Sequence, residues 1–439
     1  AGKLKLSLPP DETADGGKTL VWRAKDVPAI KTETSLPPAW TFTRMLFASS
    51  GNWAEYSKSL LDAMTKAVSG QSATEAKAKE LCAGATSQTE SAIRIRDFAA
   101  KSIRQAGPGL TSLPFSCLTP ADKTLAEGYG NASDKAILLF ALLKAAGFEP
   151  EFVVASSVPA LGPVFAPLYY NVQPSLFQAP LVKAKVDGLD VVFNDTNQYD
   201  KLGVTPHAGS FALNLKSALA WELQPAAKEL ESSQDTKWSL KVNADGSALI
   251  EHTLLLYGTA YGQARQRYTE MTPEELRRHH QELVAGVAQS ARPESPLKTD
   301  FKAYPGVISF KVTVPDFAMR DGSRLYLHIP DNGFEGVFRL RSEKRVSPYF
   351  IASKSKSKLS FAFELPESFK NLQVGPKTFT WEHNGSIVKV SSGFAPGRFE
   401  VKCDSSFEPS LTPASEYGSF KDLERFLGAP ATNSILLSE

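Results

Sequence analysis

An α+β fold is predicted, on three observations. Helical periodicity fills 53–104, an apolar helix at 134–146 leads into short strands and a hairpin, and strand-like runs dominate after about 231. A chain of 439 residues divides naturally into more than one domain, and its 42% hydrophobic and 22% charged composition is that of packed globular protein. The expected boundaries are 1–48, 49–235 and 236–439.

Residues 1–48 are Pro-rich and carry two strand-like runs, Lys3 to Leu8 and Thr19 to Ala24. Two strands alone are marginal in water, so they read as the end of an N-terminal β domain whose beginning lies further upstream, or as partners of strands elsewhere in the chain. From Trp53, apolar residues recur at three- and four-residue spacing in Leu60, Leu61, Met64 and Ala67, and again in Ile93, Ile95, Phe98 and Ala99. Asp134 to Ala146 is apolar almost all round and stops at Gly147, the pattern of a buried helix with a glycine C-cap. Phe152 to Ala155 follows as a short strand. Leu181 to Val186 and Leu189 to Phe193 flank Asp187-Gly188, the strongest short-range hairpin signal. Beyond Glu231 the alternating runs predict an all-β, sandwich-type domain with one inserted helix, starting at Thr272-Pro273-Glu274-Glu275 where Thr272 caps and Glu275 closes a capping box.

Net charge is +2, with 49 basic and 47 acidic residues interspersed, so nothing advertises a nucleic-acid partner. Lys354, Lys356 and Lys358 alternate with serines and predict a solvated strand edge or loop. No stretch approaches the roughly 20 apolar residues of a membrane span. Cys82, Cys117 and Cys403 have no metal-ligand spacing. Cys82 and Cys117 are expected to be free and buried or paired with each other, leaving Cys403 alone. The adjacent His279 and His280 read as a solvated helical face. No metal and no cofactor is predicted.

Gly128-Tyr129-Gly130-Asn131-Ala132-Ser133-Asp134-Lys135-Ala136, followed by an apolar helix and Gly147, resembles the nucleophile segment of bacterial transglutaminase-like proteins, Gly-Tyr-Gly-Asp-Cys-Lys-Asp-Lys-Ala. Trp22 to Ile30 with Pro37-Pro38-Ala39-Trp40 resembles the end of the β domain preceding such cores, and Asp245 to Ala248 with Tyr257 to Ala260 resembles the β domain that follows. The resemblance implies a papain-like core between two β domains and a periplasmic or secreted location.

In that family the nucleophile is a Cys at a helix N-terminus, where unpaired N–H groups and the dipole lower a thiol's pKa. Here the position is Ala132, which has no lone pair to attack an acyl carbon. Ser133 is turned about 100 degrees away around the helix and lacks a base. The family's His falls on Ala179 and its Asp on Asn194, with Asp195 as the alternative third position. A two-residue turn at Asp187-Gly188 sets Val186 opposite Leu189 and Leu181 opposite Asn194. Ala179 then shares Leu181's face, diagonal to Asn194, with Asp195 on the other side. A bulge after Leu189 would hand the role to Asp195. The helix opening at Ala132 is expected to pack on that same face. Cys117 and His207 are not linked at catalytic spacing and read as bland.

The expected function is thus that of a catalytically inactive transglutaminase-like protein, binding or scaffolding an unknown protein or peptide in the cell envelope. The alternatives are a hydrolase acting on peptide or glycan through a different site at the domain junction, and a plain structural spacer.

Overall fold

The computed structural model describes residues 5–49, 51–68, 70, 72–193, 197–330 and 333–439. The fold is mixed α+β, and the chain divides into two compact units: 1–32 with 36–231, and 33–35 with 232–439. Residues 1–48, apart from Glu33–Ser35, therefore cluster with the first unit. Their short strands pair locally, Lys5–Leu6 with Ala48–Ser49 and Glu12–Ala14 with Thr19–Val21.

Helices α1 (Trp53–Val68), α2 (Ser72–Cys82), α3 (Gln88–Ser102), α4 (Ala121–Glu127) and α5 (Ala132–Ala145) come first in the chain. α5 is the apolar helix of the sequence, and its Ile137, Leu138, Leu139, Leu142 and Leu143 are almost entirely buried. After it come strand β1 (Glu151–Pro159), α6 (Gly162–Tyr170), and strands β2 (Phe177–Val186), β3 (Leu189–Phe193), β4 (Ser210–Asn214) and β5 (Ala220–Glu222). These strands form an antiparallel sheet in the order β5-β4-β1-β2-β3. The hairpin turn falls where the sequence placed it, with Val186 opposite Leu189. Both turn residues have positive φ, 47° at Asp187 and 84° at Gly188, the backbone of a tight hairpin that matches strand twist.

The sheet is buried on both faces. Phe152, Val154, Val182, Ala184, Val186 and Val191 share the core of α5, whereas Val153, Ala155, Leu181, Val192, Ala212 and Leu223 form a separate cluster on the other side. Alternation along β2 thus holds as a period of two.

The second unit is built on a nine-stranded mixed sheet. Ser355–Glu364 lies inside it, parallel to Ser233–Val242 and antiparallel to Arg398–Phe407. The lysine run therefore sits on and beside an interior strand, not an edge; Lys358 reaches solvent through the exposed face because side chains alternate. A four-stranded sheet of Ala318–Asp321, Arg324–His328, Ser434–Ser438 and Asn371–Val374 contributes Leu325, Leu327, Ile435 and Leu437 to the same core as Trp238, Leu240, Phe361 and Val401 of the large sheet. Two helices, not one, are inserted between strands: α7 (Gly258–Glu270) and α8 (Pro273–Val287). A further helix, α9 (Gly418–Leu427), lies near the C-terminus. The capping box at α8 is present, with Thr272 accepting from the Glu275 N–H and Glu275 accepting from the Thr272 N–H.

Candidate functional site

The string that carried the family resemblance folds into the entry of α5. Gly128 ends α4 in the left-handed region, and Tyr129–Gly130 pairs in parallel with Arg104–Gln105. Asn131 then caps α5. Its side-chain oxygen accepts the N–H groups of Ser133 at 2.8 Å and Asp134 at 3.1 Å. Asp134 closes the box by accepting the Asn131 N–H at 3.1 Å and, with its other oxygen, the Thr119 N–H at 2.8 Å. Gly130 is required by crowding: a Cβ there would lie 2.8 Å from Cβ of Asp134. The motif is therefore a self-satisfied helix start.

Ala132 is the first residue of α5 and presents only a methyl group. Ser133, Asp134 and Lys135 behind it are 1%, 5% and 2% exposed, and the Ser133 hydroxyl has no hydrogen-bond partner among the described residues. A serine buried in this way has neither access to a substrate nor a base to activate it.

Ala179 lies in β2 opposite Ala155 and packs into the cluster of Val153, Leu181 and Ala212. It shares Leu181's face, as the hairpin register requires, but α5 packs on the opposite face with Val182, Ala184 and Val186. The body of α5 thus lies on the face opposite Ala179, where the helix was expected. The β1–β2 ladder shifts between Ala155 and Ser156 so that Ser156 pairs with Phe177. This irregularity turns Phe177 to the α5 side, where its ring meets Trp53 at 5.2 Å. Asn194 and Asp195 lie outside the described residues; up to Phe193, which faces Val182, the β2–β3 register runs without a shift.

An aromatic cluster that sequence reasoning missed fills the space around Phe177. Trp53 stacks on Tyr169 at 5.7 Å and donates from Nε1 to the Tyr169 carbonyl at 2.7 Å, while Tyr56 meets Phe115 at 6.0 Å. Burial pushes the Tyr56 hydroxyl up to about 12. The signal for this cluster was only the aromatic content of separate segments; their convergence is tertiary.

All three cysteines are free: Cys82 is half-buried, Cys117 exposed and Cys403 buried, its thiol pushed up to about 12 by desolvation and the neighbouring Asp404. Cys117 closes a single turn at Phe115–Cys117, and His207 sits in the loop before β4 with its pKa lowered by burial. No hydrogen bond joins them among the described residues. His279 and His280 are not on a solvated face. The His279 side chain is 12% exposed, with Nε2 2.9 Å from the Tyr268 hydroxyl, and Nε2 of His280 is buried, because α8 lays this edge against α7 and Phe310. No group of three or more potential metal ligands occurs among the described residues, and no helix among them is long and apolar enough to cross a membrane.

No family model matches the chain, and no curated protein matches it. Among solved structures, the chain is similar to a Parabacteroides distasonis protein provisionally named a protease, with a TM-score of 0.53 at 15% identity, over 94% of this chain. It spans 64% of that longer protein. At this identity the likeness is one of fold.

Proposed function

We propose that this chain is a catalytically inactive transglutaminase-like protein, with a binding or scaffolding role in the bacterial cell envelope. The observation that carries the reading is the start of α5. At the position where the resembling family holds its nucleophile, the chain has the methyl of Ala132, with the adjacent helix N–H groups capped by Asn131. An acyl transfer needs a lone pair, a base and free oxyanion donors, and here the first is missing and two of the donors are engaged. The likeness to a protein provisionally named a protease is one of fold over the whole chain and fits a papain-like first unit only loosely. The envelope location rests on the family resemblance.

The test is an assay of purified protein for amine incorporation into glutamine substrates and for thiol-dependent peptidase activity. Neither is expected. Turnover abolished by a cysteine alkylator would overturn the reading.

A further inference from the structure

The second unit contains a charged site unrelated to α5. Arg345 meets Thr34 and Ser35 from 311 and 310 residues away, and Glu33 meets Val346 and Ser347 from 313 and 314 away, yet the two side chains are 0% and 2% exposed. The Arg345 guanidinium lies over the rings of Tyr349 at 5.2 Å and Tyr417 at 5.4 Å. It donates to the carbonyls of Thr34 at 2.6 Å and Ser35 at 3.3 Å, and to those of Ser347 and Pro348 on its own loop. The Glu33 carboxylate accepts the N–H groups of Val346 at 3.0 Å and Ser347 at 2.9 Å, and the Phe350 N–H donates to the Ser35 carbonyl at 3.0 Å.

These contacts are of the kind that hold a peptide: main-chain carbonyls are bound by fixed donors, and one side chain anchors in a buried charged pocket. Glu33–Ser35 has no strand or helix and turns at Thr34–Ser35, and Arg23–Thr32 before it is exposed throughout and also without regular structure. Ser35 has φ +53°, a left-handed conformation that costs a non-glycine residue energy, so the resident segment is not an optimal fit. The Val346 and Ser347 N–H groups, with the Arg345 guanidinium 3.9 Å from the Glu33 carboxylate, favour a carboxylate at this position in any occupant.

We propose that the Arg345 pocket is a recognition site for a glutamate-bearing peptide that turns two residues after its glutamate, and that Glu33–Ser35 is its resident ligand in cis. The site belongs to the second unit and stands whether or not α5 is catalytically inactive.

The test uses the full chain and a labelled synthetic peptide of residues 28–38. The tethered segment competes at high effective concentration, so the wild-type protein should bind the peptide at least about tenfold more weakly than Glu33→Ala, whose own anchor is gone. Replacing Glu33 by Gln in the peptide should weaken binding to Glu33→Ala by about tenfold, and replacing Ser35 by Gly should strengthen it several-fold. The peptide should also raise the thermal midpoint of Glu33→Ala and leave the wild type unmoved. If Glu33→Ala melts cooperatively and binds neither peptide, or binds the Glu and Gln peptides alike, the proposal is overturned. If Glu33→Ala is too unstable to purify, Glu33→Gln, which keeps the side-chain volume, gives the same comparison.

Discussion

The start of α5 and the Arg345 pocket both bury charge, but they satisfy it over very different distances. At α5 the partners are neighbours: Asp134 is held by the N–H of Asn131 three residues away and by that of Thr119 fifteen residues away. In the Arg345 pocket, donors from one loop close on a tripeptide 310 residues away or more. A locally satisfied site forms with its own helix and has nothing to exchange. A site completed from far along the chain is incomplete until that segment arrives, and loop closure makes its arrival the costly step. The difference accounts for a capped helix start in one unit and a peptide-like clamp in the other.

Breaking the clamp should have the largest effect. Arg345→Met leaves the Glu33 carboxylate buried without its cation and removes four donors, and loss of one partner of a buried pair costs about 3–5 kcal/mol. Denaturant unfolding of the full chain should show the transition of the second unit moving to lower denaturant while that of the first stays in place. Movement of both together would mean that the clamp is not local to the second unit.

Acid should separate the two regions next. His252 is sandwiched between Trp238 at 4.4 Å and Phe310 at 4.8 Å, its Nδ1 has no partner, and burial lowers its pKa from 6.5 to about 4. The unfolded chain takes up this proton below about 6.5 and the folded chain only near 4, so folding stability falls as pH drops through that window, by up to about 3 kcal/mol. Glu33 adds to the effect lower down. Burial pushes its carboxyl up, but the N–H groups of Val346 and Ser347, the Ser347 hydroxyl and Arg345 outweigh that and hold it below the ordinary glutamate value. Its contribution is present above about 4.5 and is lost as pH falls through the lowered value. His252→Phe should flatten the pH 4–6.5 slope of the second unit's unfolding free energy, and an unchanged slope would assign it to other groups.

The sequence carried the locally determined parts of this structure. α5, its approach to Gly147, the Asp187-Gly188 hairpin and the Thr272 capping box are each set by residues within a turn or two, and all are present. α7 was missed because only Gly258, Tyr261 and Gly262 of its thirteen residues are buried, leaving no apolar stripe to read. α9 did carry a signal, Phe420, Leu423 and Leu427 on one helical face, hidden in a segment otherwise read as strands. The face of the sheet that α5 covers was not legible. A register shift at Ala155 and a choice of side are tertiary events, and strand alternation alone cannot make them. The Arg345 pocket left no trace at all, since neither Ser-Glu-Lys-Arg nor Lys-Thr-Glu-Thr is unusual until the two meet.

A smaller effect is expected at the locally closed site. Asn131→Ala removes the acceptor for two helix N–H groups, and losing such a cap costs about 0.5–2 kcal/mol. The loss should appear in the first unit's transition alone. A Gly130→Ala change should add to it, because the new Cβ collides with Asp134 and opens the box from the other side. If the two losses are fully additive, the cap and the glycine are independent; a shortfall shows that they serve the same hydrogen-bond set.

The smallest expected effect is that of Ala132→Cys, and it is the sharpest test of the first site. The substitution is conservative in volume at a half-buried first helical position, so stability should change by no more than about 0.5 kcal/mol. The new thiol sits at the positive end of α5, which lowers its pKa, so iodoacetamide should label it faster than Cys82. Reactivity of that kind is not catalysis. Ala179, the residue matched to the family's base, lies on the sheet face away from α5, and Asn131 already occupies two N–H groups of the helix end. No transfer of amine to a glutamine substrate is therefore expected from Ala132→Cys, nor from Ala132→Cys with Ala179→His. Turnover by the double variant would place residue 179 within reach of residue 132 and restore the residue-by-residue match that the sheet geometry argues against.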